Sequence, residues 1–80
     1  MEENVGFILG SPQRERVLRV LSSKGKMTTE RIAKVEHIPL QAIKRIVKEM
    51  EEREIIKDEG GAWNLTEMGQ EVDKEIKKRT

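Results

Sequence analysis

The feature that most constrains this chain is a stripe of apolar residues that repeats at helical spacing directly after Pro39. Its members are Leu40, Ile43, Ile46, Val47 and Met50. At about 100° per residue they fall on one face of a single helix, which we predict over 40–53. Proline disfavours the α conformation of the residue before it, so the preceding helix has to end before Ile38. A tight turn therefore separates two helices here.

Two helices are predicted ahead of this turn. The first covers 12–22, because Ser11 is a good cap residue and Pro12 is already fixed near a helical φ. The second covers 29–36 and begins beside the cap candidates Thr28 and Thr29. Residues 1–10 are left as an N-terminal extension. Two helices that meet at a tight turn form a helix-turn-helix.

The pattern changes to two short apolar runs after 40–53. The runs 55–57 and 63–65 flank the glycine pair 60–61, which predicts a β-hairpin over 55–65. A last helix is predicted over 67–79, with its apolar stripe in the core or in a dimer seam. Its Asp73 and Lys77 have the i, i+4 spacing of an ion pair. The fold class is thus mainly α with a small β-hairpin (α+β), in one domain over 1–80 with the order α-α-turn-α-β-β-α.

Composition excludes several classes of function. The chain has no cysteine and one histidine, so we predict no metal site, no cofactor and no enzymatic activity. The N-terminus is acidic where a signal peptide would be basic, and the longest apolar run is the triplet 7–9. We expect a cytoplasmic protein without a membrane segment.

Charge is divided unevenly along the chain although the net charge is only +1. Between residues 13 and 48, ten Lys and Arg stand against three Glu, a net charge of +7. Between 49 and 75, three Lys and Arg stand against ten Asp and Glu, a net charge of −7. The first part is suited to a polyanion and the second to a basic partner.

The polar face of the predicted helix 40–53 carries Gln41, Lys44, Arg45 and Lys48 opposite the apolar stripe. An arginine can donate two hydrogen bonds to a guanine edge, a glutamine pairs with adenine, and a lysine contacts guanine or phosphate. The hydroxyls and backbone N–H groups of Thr28 and Thr29 are suited to a phosphate. These residues predict a surface that binds double-stranded DNA.

Three phrases of the sequence resemble winged helix-turn-helix transcription regulators. The run IPLQAIKRIVKEMEEREII over 38–56 looks like their recognition helix and first wing strand. The run FILGSPQRERVLRVL resembles the first helix of arsenic-repressor-like and related archaeal regulators, and LTEMGQEV resembles the Leu-Thr-x-x-Gly phrase that follows the wing. Together the phrases cover about residues 7–76.

This resemblance implies a sequence-selective transcription regulator whose helix 40–53 enters the major groove. It places Gln41, Ala42, Lys44, Arg45 and Lys48 at base-facing and phosphate-facing positions. It also implies a homodimer, for which we expect contacts through 5–9 and the last helix.

The chain departs from the family pattern at the turn and in the wing. His37 and Glu54 stand where glycine is usual, and Glu36 falls on a face that ought to be buried. Asp58 and Glu59 near the wing tip should repel phosphate. We expect His37 to be a turn residue and Trp63 to fill the core rather than to stack on a base.

One alternative stays open: a winged helix that joins proteins in a larger complex, with the acidic wing and last helix against a basic partner. RNA binding is disfavoured because the chain offers few aromatic side chains for stacking on bases.

Overall fold

A computed structural model describes residues 1–79 of the chain. In this part it contains five α-helices and one two-stranded antiparallel sheet. In chain order these are α1 (Glu2–Leu9), α2 (Pro12–Lys24), α3 (Thr29–Glu36), α4 (Leu40–Glu52), β1 (Ile56–Glu59), β2 (Ala62–Leu65) and α5 (Glu67–Arg79). The predicted fold class, mainly α with a small β-hairpin, is confirmed. None of these helices is long and apolar enough to cross a membrane.

Helices α2 and α3 begin at their predicted caps. The Ser11 hydroxyl accepts a hydrogen bond of 3.3 Å from the Arg14 N–H at the start of α2, and Pro12 occupies the first turn. The Thr28 hydroxyl accepts a 3.1 Å hydrogen bond from the Arg31 N–H in the same way. Helix α2 runs two residues beyond the predicted end at Ser22, because the chain leaves helical angles only at Gly25.

The prediction of residues 1–10 as an N-terminal extension is wrong, because most of them form a helix. Residues 2–9 form α1, which packs on α2 and α5. The side chains of Val5 and Ile8 are only 1% and 0% exposed, so they complete the core of the single chain. They are therefore not available to a second copy, and the expected dimer contact through 5–9 is wrong for these two residues.

The core fixes the rotation of α4. Four of the five stripe residues, Ile43, Ile46, Val47 and Met50, are buried as predicted and pack with apolar residues of α2, α5 and the hairpin in one cluster. Leu40, at the start of α4, is half-buried. Burial of one face forces the opposite face of α4 into solvent.

The hairpin is tied to the rest of the fold at Trp63. Strands β1 and β2 pair from Ile56 opposite Leu65 to Glu59 opposite Ala62. Met27, just before α3, exchanges two backbone hydrogen bonds with Trp63, of 3.0 and 2.7 Å. This one-residue antiparallel bridge holds the wing against the start of the helix-turn-helix.

The start of α5 accounts for the Leu-Thr-x-x-Gly phrase. The Thr66 hydroxyl accepts a 2.9 Å hydrogen bond from the Gly69 N–H and so caps the helix. A Cβ atom on Gly69 would lie 2.1 Å from the Ile55 carbonyl oxygen, so only glycine allows this approach. Farther along, Lys77 Nζ lies 3.1 Å from the Asp73 carboxylate, which confirms the predicted i, i+4 pair.

Candidate nucleic-acid interface

The exposed face of α4 brings together four of the predicted site residues. Gln41, Lys44, Arg45 and Lys48 are all exposed. Within residues 1–79, none of their side chains forms a hydrogen bond or an ion pair. The three cations are therefore unneutralised and face the solvent. A polyanion that met this face would not have to break any contact of the fold.

Ala42 lies at the edge of this face. It is half-buried and packs against the apolar core, so its methyl group is only partly presented to solvent. Of the five residues that the resemblance placed at base-facing and phosphate-facing positions, Ala42 is the one that also packs against the core.

The beginning of α4 leaves its first backbone N–H groups open. Its cap residue is Pro39, which offers no side-chain hydrogen bond, and its first turn contains no acidic residue. The first N–H groups of a helix have no partner within it and form the positive end of its dipole. The N-terminal end of α4 is therefore favourable to phosphate, like the exposed face that follows it.

The two threonines at the start of α3 have structural partners. The Thr28 hydroxyl accepts from the Arg31 N–H, and Thr28 is exposed. The half-buried Thr29 hydroxyl accepts a 2.9 Å hydrogen bond from the Trp63 indole N–H. Each hydroxyl still has its own proton to donate. Their predicted contact with phosphate therefore stays a prediction, made through groups that also hold the fold.

The turn between α3 and α4 is built around His37. This residue has φ 56° and ψ 41°, a left-handed conformation, and so confirms the prediction of a turn residue. Glu36, which the pattern placed on a buried face, is half-buried and lies 3.1 Å from the Arg16 guanidinium of α2. The same guanidinium also donates to the Glu36 carbonyl. No local pattern predicts this pair, because its members are far apart along the chain.

The two acidic side chains of the wing have partners within the hairpin. Asp58 accepts a 2.8 Å hydrogen bond from the Gly61 N–H and so closes the turn. Glu59 accepts a 3.1 Å hydrogen bond from the Asn64 amide and lies 3.3 Å from Lys57 Nζ. The Asn64 hydrogen bond, followed by that of Lys57, lowers the pKa of Glu59 below its ordinary value of 4.5.

The first acid of α4 is neutralised by α2. Glu49 Oε1 lies 3.3 Å from the guanidinium of Arg14. The guanidinium carbons of Arg14 and Arg53 lie 3.9 and 4.1 Å from the centroid of the Phe7 ring. These cation–π contacts fasten α1 to the end of α4. Sequence reasoning missed this cluster, since nothing in the local pattern marks Phe7 as its centre.

A cleft outside the exposed face of α4 is another surface feature of note. It has a volume of about 430 Å³ and is lined by residues of α2, α3 and α5; Arg16 pairs there with Glu36 and Lys77 with Asp73, whereas Lys24 is unpaired within residues 1–79. No group of three or more His, Asp or Glu residues within 1–79 could hold a metal ion. The exposed face of α4 is thus the strongest candidate.

Comparison with known proteins agrees with this geometry. A family model described as winged helix-turn-helix DNA-binding matches residues 11–57, which is more than half of the chain and runs from the cap of α2 into β1. No curated protein and no solved structure matches the chain.

Proposed function

Since this chain belongs to the family of winged helix-turn-helix DNA-binding domains, we propose that it is a sequence-selective transcription regulator. In this proposal α4 enters the major groove of double-stranded DNA with its N-terminal end toward the base edges. The observation that carries the proposal is the group of Gln41, Lys44, Arg45 and Lys48, exposed together and without partners within residues 1–79.

Each side chain has a chemically distinct role in the proposal. Arg45 reads a guanine through two hydrogen bonds and Gln41 reads an adenine, because these are the pairs whose donors and acceptors match in the major groove. Lys44 and Lys48 contact phosphate or guanine. Ala42 offers a methyl group at the rim, suited to an apolar contact with a thymine methyl.

The start of α3 supplies the phosphate contacts that set the register. Thr28 and Thr29 can donate their hydroxyl protons while their oxygens keep the contacts described above. Such contacts position a domain on the duplex but carry no sequence information directly. Specificity in this proposal therefore rests on α4 alone.

Selection of duplex DNA from a random pool tests the function. We expect one motif to be enriched, and an Arg45→Ala/Lys48→Ala variant to lose most of the affinity for it. Both positions are exposed, so circular dichroism should show an unchanged fold. A double variant that binds the motif as tightly as the parent would contradict this mode of binding. A protein that binds no duplex but co-purifies with one basic protein would favour the interaction-module alternative.

The same selection tests the proposed homodimer. A symmetric pair reads two half-sites about one helical turn apart, so it enriches a palindrome. Because Val5 and Ile8 are buried within one chain, a dimer has to use other residues, and the exposed Leu9 and Met68 of α1 and α5 are the apolar candidates. An enriched motif without two-fold symmetry would argue for a monomer.

A further inference from the structure

The C-terminal turn of α4 carries acidic residues that the fold does not explain. Glu51 and Glu52 are exposed, and neither side chain has a partner within residues 1–79. The last turn of α4 has no basic residue. Because the C-terminus of a helix is the negative end of its dipole, unpaired carboxylates there destabilise the helix. These residues thus lower the stability of α4, and no contact within residues 1–79 compensates for it.

The nearby Glu49 shows what a structurally useful acid looks like at this end. It is half-buried and ion-paired with Arg14 at 3.3 Å. Glu51 and Glu52, by contrast, are exposed and form no ion pair with either arginine of the Phe7 cluster, Arg14 or Arg53. We therefore consider Glu51 and Glu52 together with the exposed residues of α4 that lie near them on the helix surface.

Glu52 lies on the same line of the helix as the reading residues. Gln41, Arg45, Lys48 and Glu52 follow one another at intervals of four, three and four residues, which keeps them on one face. Glu51 lies seven residues after Lys44, on the flank of that line. Lys48 and Glu52 form no ion pair with each other. The sign of the charge therefore reverses abruptly along one exposed face.

The reversal limits how α4 can approach DNA. From Gln41 to Lys48 the helix axis advances about 10 Å, which matches about three base-pair steps of the duplex. One turn later, Glu52 would meet the phosphate backbone if the helix lay along the groove over its full length. With the N-terminal end pointing into the groove, both acids stay outside it.

We propose that Glu51 and Glu52 are specificity-determining residues that act by repulsion. They penalise the loosely oriented, phosphate-dominated complexes through which a basic domain binds any duplex, and they leave the complex with the N-terminal end in the groove almost unaffected. Selectivity is a difference between two affinities, so weakening the wrong complex raises it as effectively as strengthening the right one. This inference rests on the proposed function, and it adds that the acidic C-terminal end of α4 contributes to selectivity for DNA sequence.

The test compares two double variants that change the net charge equally. Glu51→Gln/Glu52→Gln removes the acids in question, and Glu3→Gln/Glu67→Gln removes two exposed, unpaired acids from α1 and α5. Fluorescence anisotropy at low salt gives the affinity of each protein for the duplex enriched by selection and for a scrambled duplex of equal length. Thermal unfolding gives the Tm of each.

We expect Glu51→Gln/Glu52→Gln to bind the scrambled duplex about threefold to tenfold more tightly and the selected duplex less than about twofold more tightly. Its selectivity ratio falls, and its Tm rises because the dipole penalty is gone. The control variant should change both affinities alike and keep the parent ratio.

Two results would overturn the inference alone: a parent that binds selectively but whose ratio is unchanged by Glu51→Gln/Glu52→Gln, or an equal fall of the ratio in the control. A parent for which selection enriches no duplex would instead show that the proposed function fails, and the inference with it.

Discussion

The indole N–H of Trp63 on β2 donates a hydrogen bond of 2.9 Å to the hydroxyl of Thr29 in the first turn of α3. With the backbone bridge between Met27 and Trp63, it fixes the wing to the helix-turn-helix. Trp63 is half-buried and packs against the core, as the sequence analysis expected. The ring of Trp63 therefore packs against the core, and its N–H joins β2 to α3.

Trp63→Phe should destabilise the fold by about 1–2 kcal/mol, because it keeps an aromatic ring but leaves Thr29 without its donor. Thr29→Val removes the other partner. In a double-mutant cycle the two changes should couple by about 0.5–1.5 kcal/mol. Urea unfolding followed by far-UV circular dichroism measures all four proteins, since Trp63 is the only tryptophan available for fluorescence. Additive effects would show that the hydrogen bond contributes nothing.

Two glycines in helices should respond in opposite ways to alanine. A Cβ on Gly69 meets the Ile55 carbonyl oxygen at 2.1 Å, and that oxygen is backbone that cannot move alone. We expect Gly69→Ala to cost about 2–4 kcal/mol, because α5 has to shift away from the hairpin. A Cβ on Gly6 of α1 meets nothing within 4 Å.

Gly6→Ala should therefore stabilise the chain by about 0.5–1 kcal/mol through helix propensity. Thermal unfolding of both variants checks the pair. A Gly69→Ala variant as stable as the parent would mean that α5 does not approach Ile55 so closely.

The sequence predicted the elements whose evidence is local. The signals at Ser11, at Pro39 and in the stripe of α4 depend only on residues a few positions away. The caps, the turn and the exposed face of α4 could therefore be predicted without the structure. Helix α1 was missed because only two of its residues, Val5 and Ile8, are fully buried, and the helix packs on the distant elements α2 and α5. The bridge from Met27 to Trp63 and the pair of Arg16 with Glu36 depend in the same way on contacts between distant segments.

At two positions where the family usually has glycine, this chain has another residue but keeps the backbone conformation that glycine would adopt. After α3 the Ile38 N–H reaches the Ala33 carbonyl at 3.1 Å, and after α4 the Ile55 N–H reaches the Met50 carbonyl at 3.0 Å. Both are helix ends of the Schellman type, which require a left-handed residue. His37 and Glu54 are those residues, with φ of 56° and 61°.

Glu54→Gly should therefore raise the free energy of unfolding by about 0.5–1 kcal/mol, because relief of left-handed strain exceeds the added entropy of the unfolded chain. Glu54→Ala is the matched control: it removes the same charge but keeps a Cβ, so it should not stabilise comparably. Equal gains in the two variants would assign the effect to charge instead of backbone. Urea unfolding of the three proteins decides between them.

The hairpin should carry a small acid-sensitive contribution to stability. Since the pKa of Glu59 is lowered in the folded chain, chiefly by Asn64, the ionised form is favoured by folding. This contribution is complete above the unfolded pKa and is lost as the pH falls through the folded pKa. An NMR titration should find the carboxyl pKa below 4.5, and Asn64→Ala should move it back toward 4.5. A pKa unmoved by Asn64→Ala would contradict the assigned cause.

The salt dependence of DNA binding separates the cations of α4 by role. A lysine that contacts phosphate releases about one counterion, so Lys48→Ala should reduce the slope of log K against log salt by about 1, whatever the sequence of the duplex. An arginine that reads guanine contributes discrimination, so Arg45→Ala should cost about 1–3 kcal/mol on the selected duplex and relax specificity at one base pair.

Both effects can be measured by anisotropy titrations at several salt concentrations, on the selected duplex and on single-base variants of it. Lys24→Ala is a useful control, because Lys24 is exposed and unpaired at the end of α2 and is not among the residues to which the proposal assigns a contact with DNA. It should leave both the slope and the base preference near those of the parent. If Arg45→Ala weakened every duplex equally, Arg45 would be a phosphate contact, and the base reading would have to come from Gln41 or from the lysines.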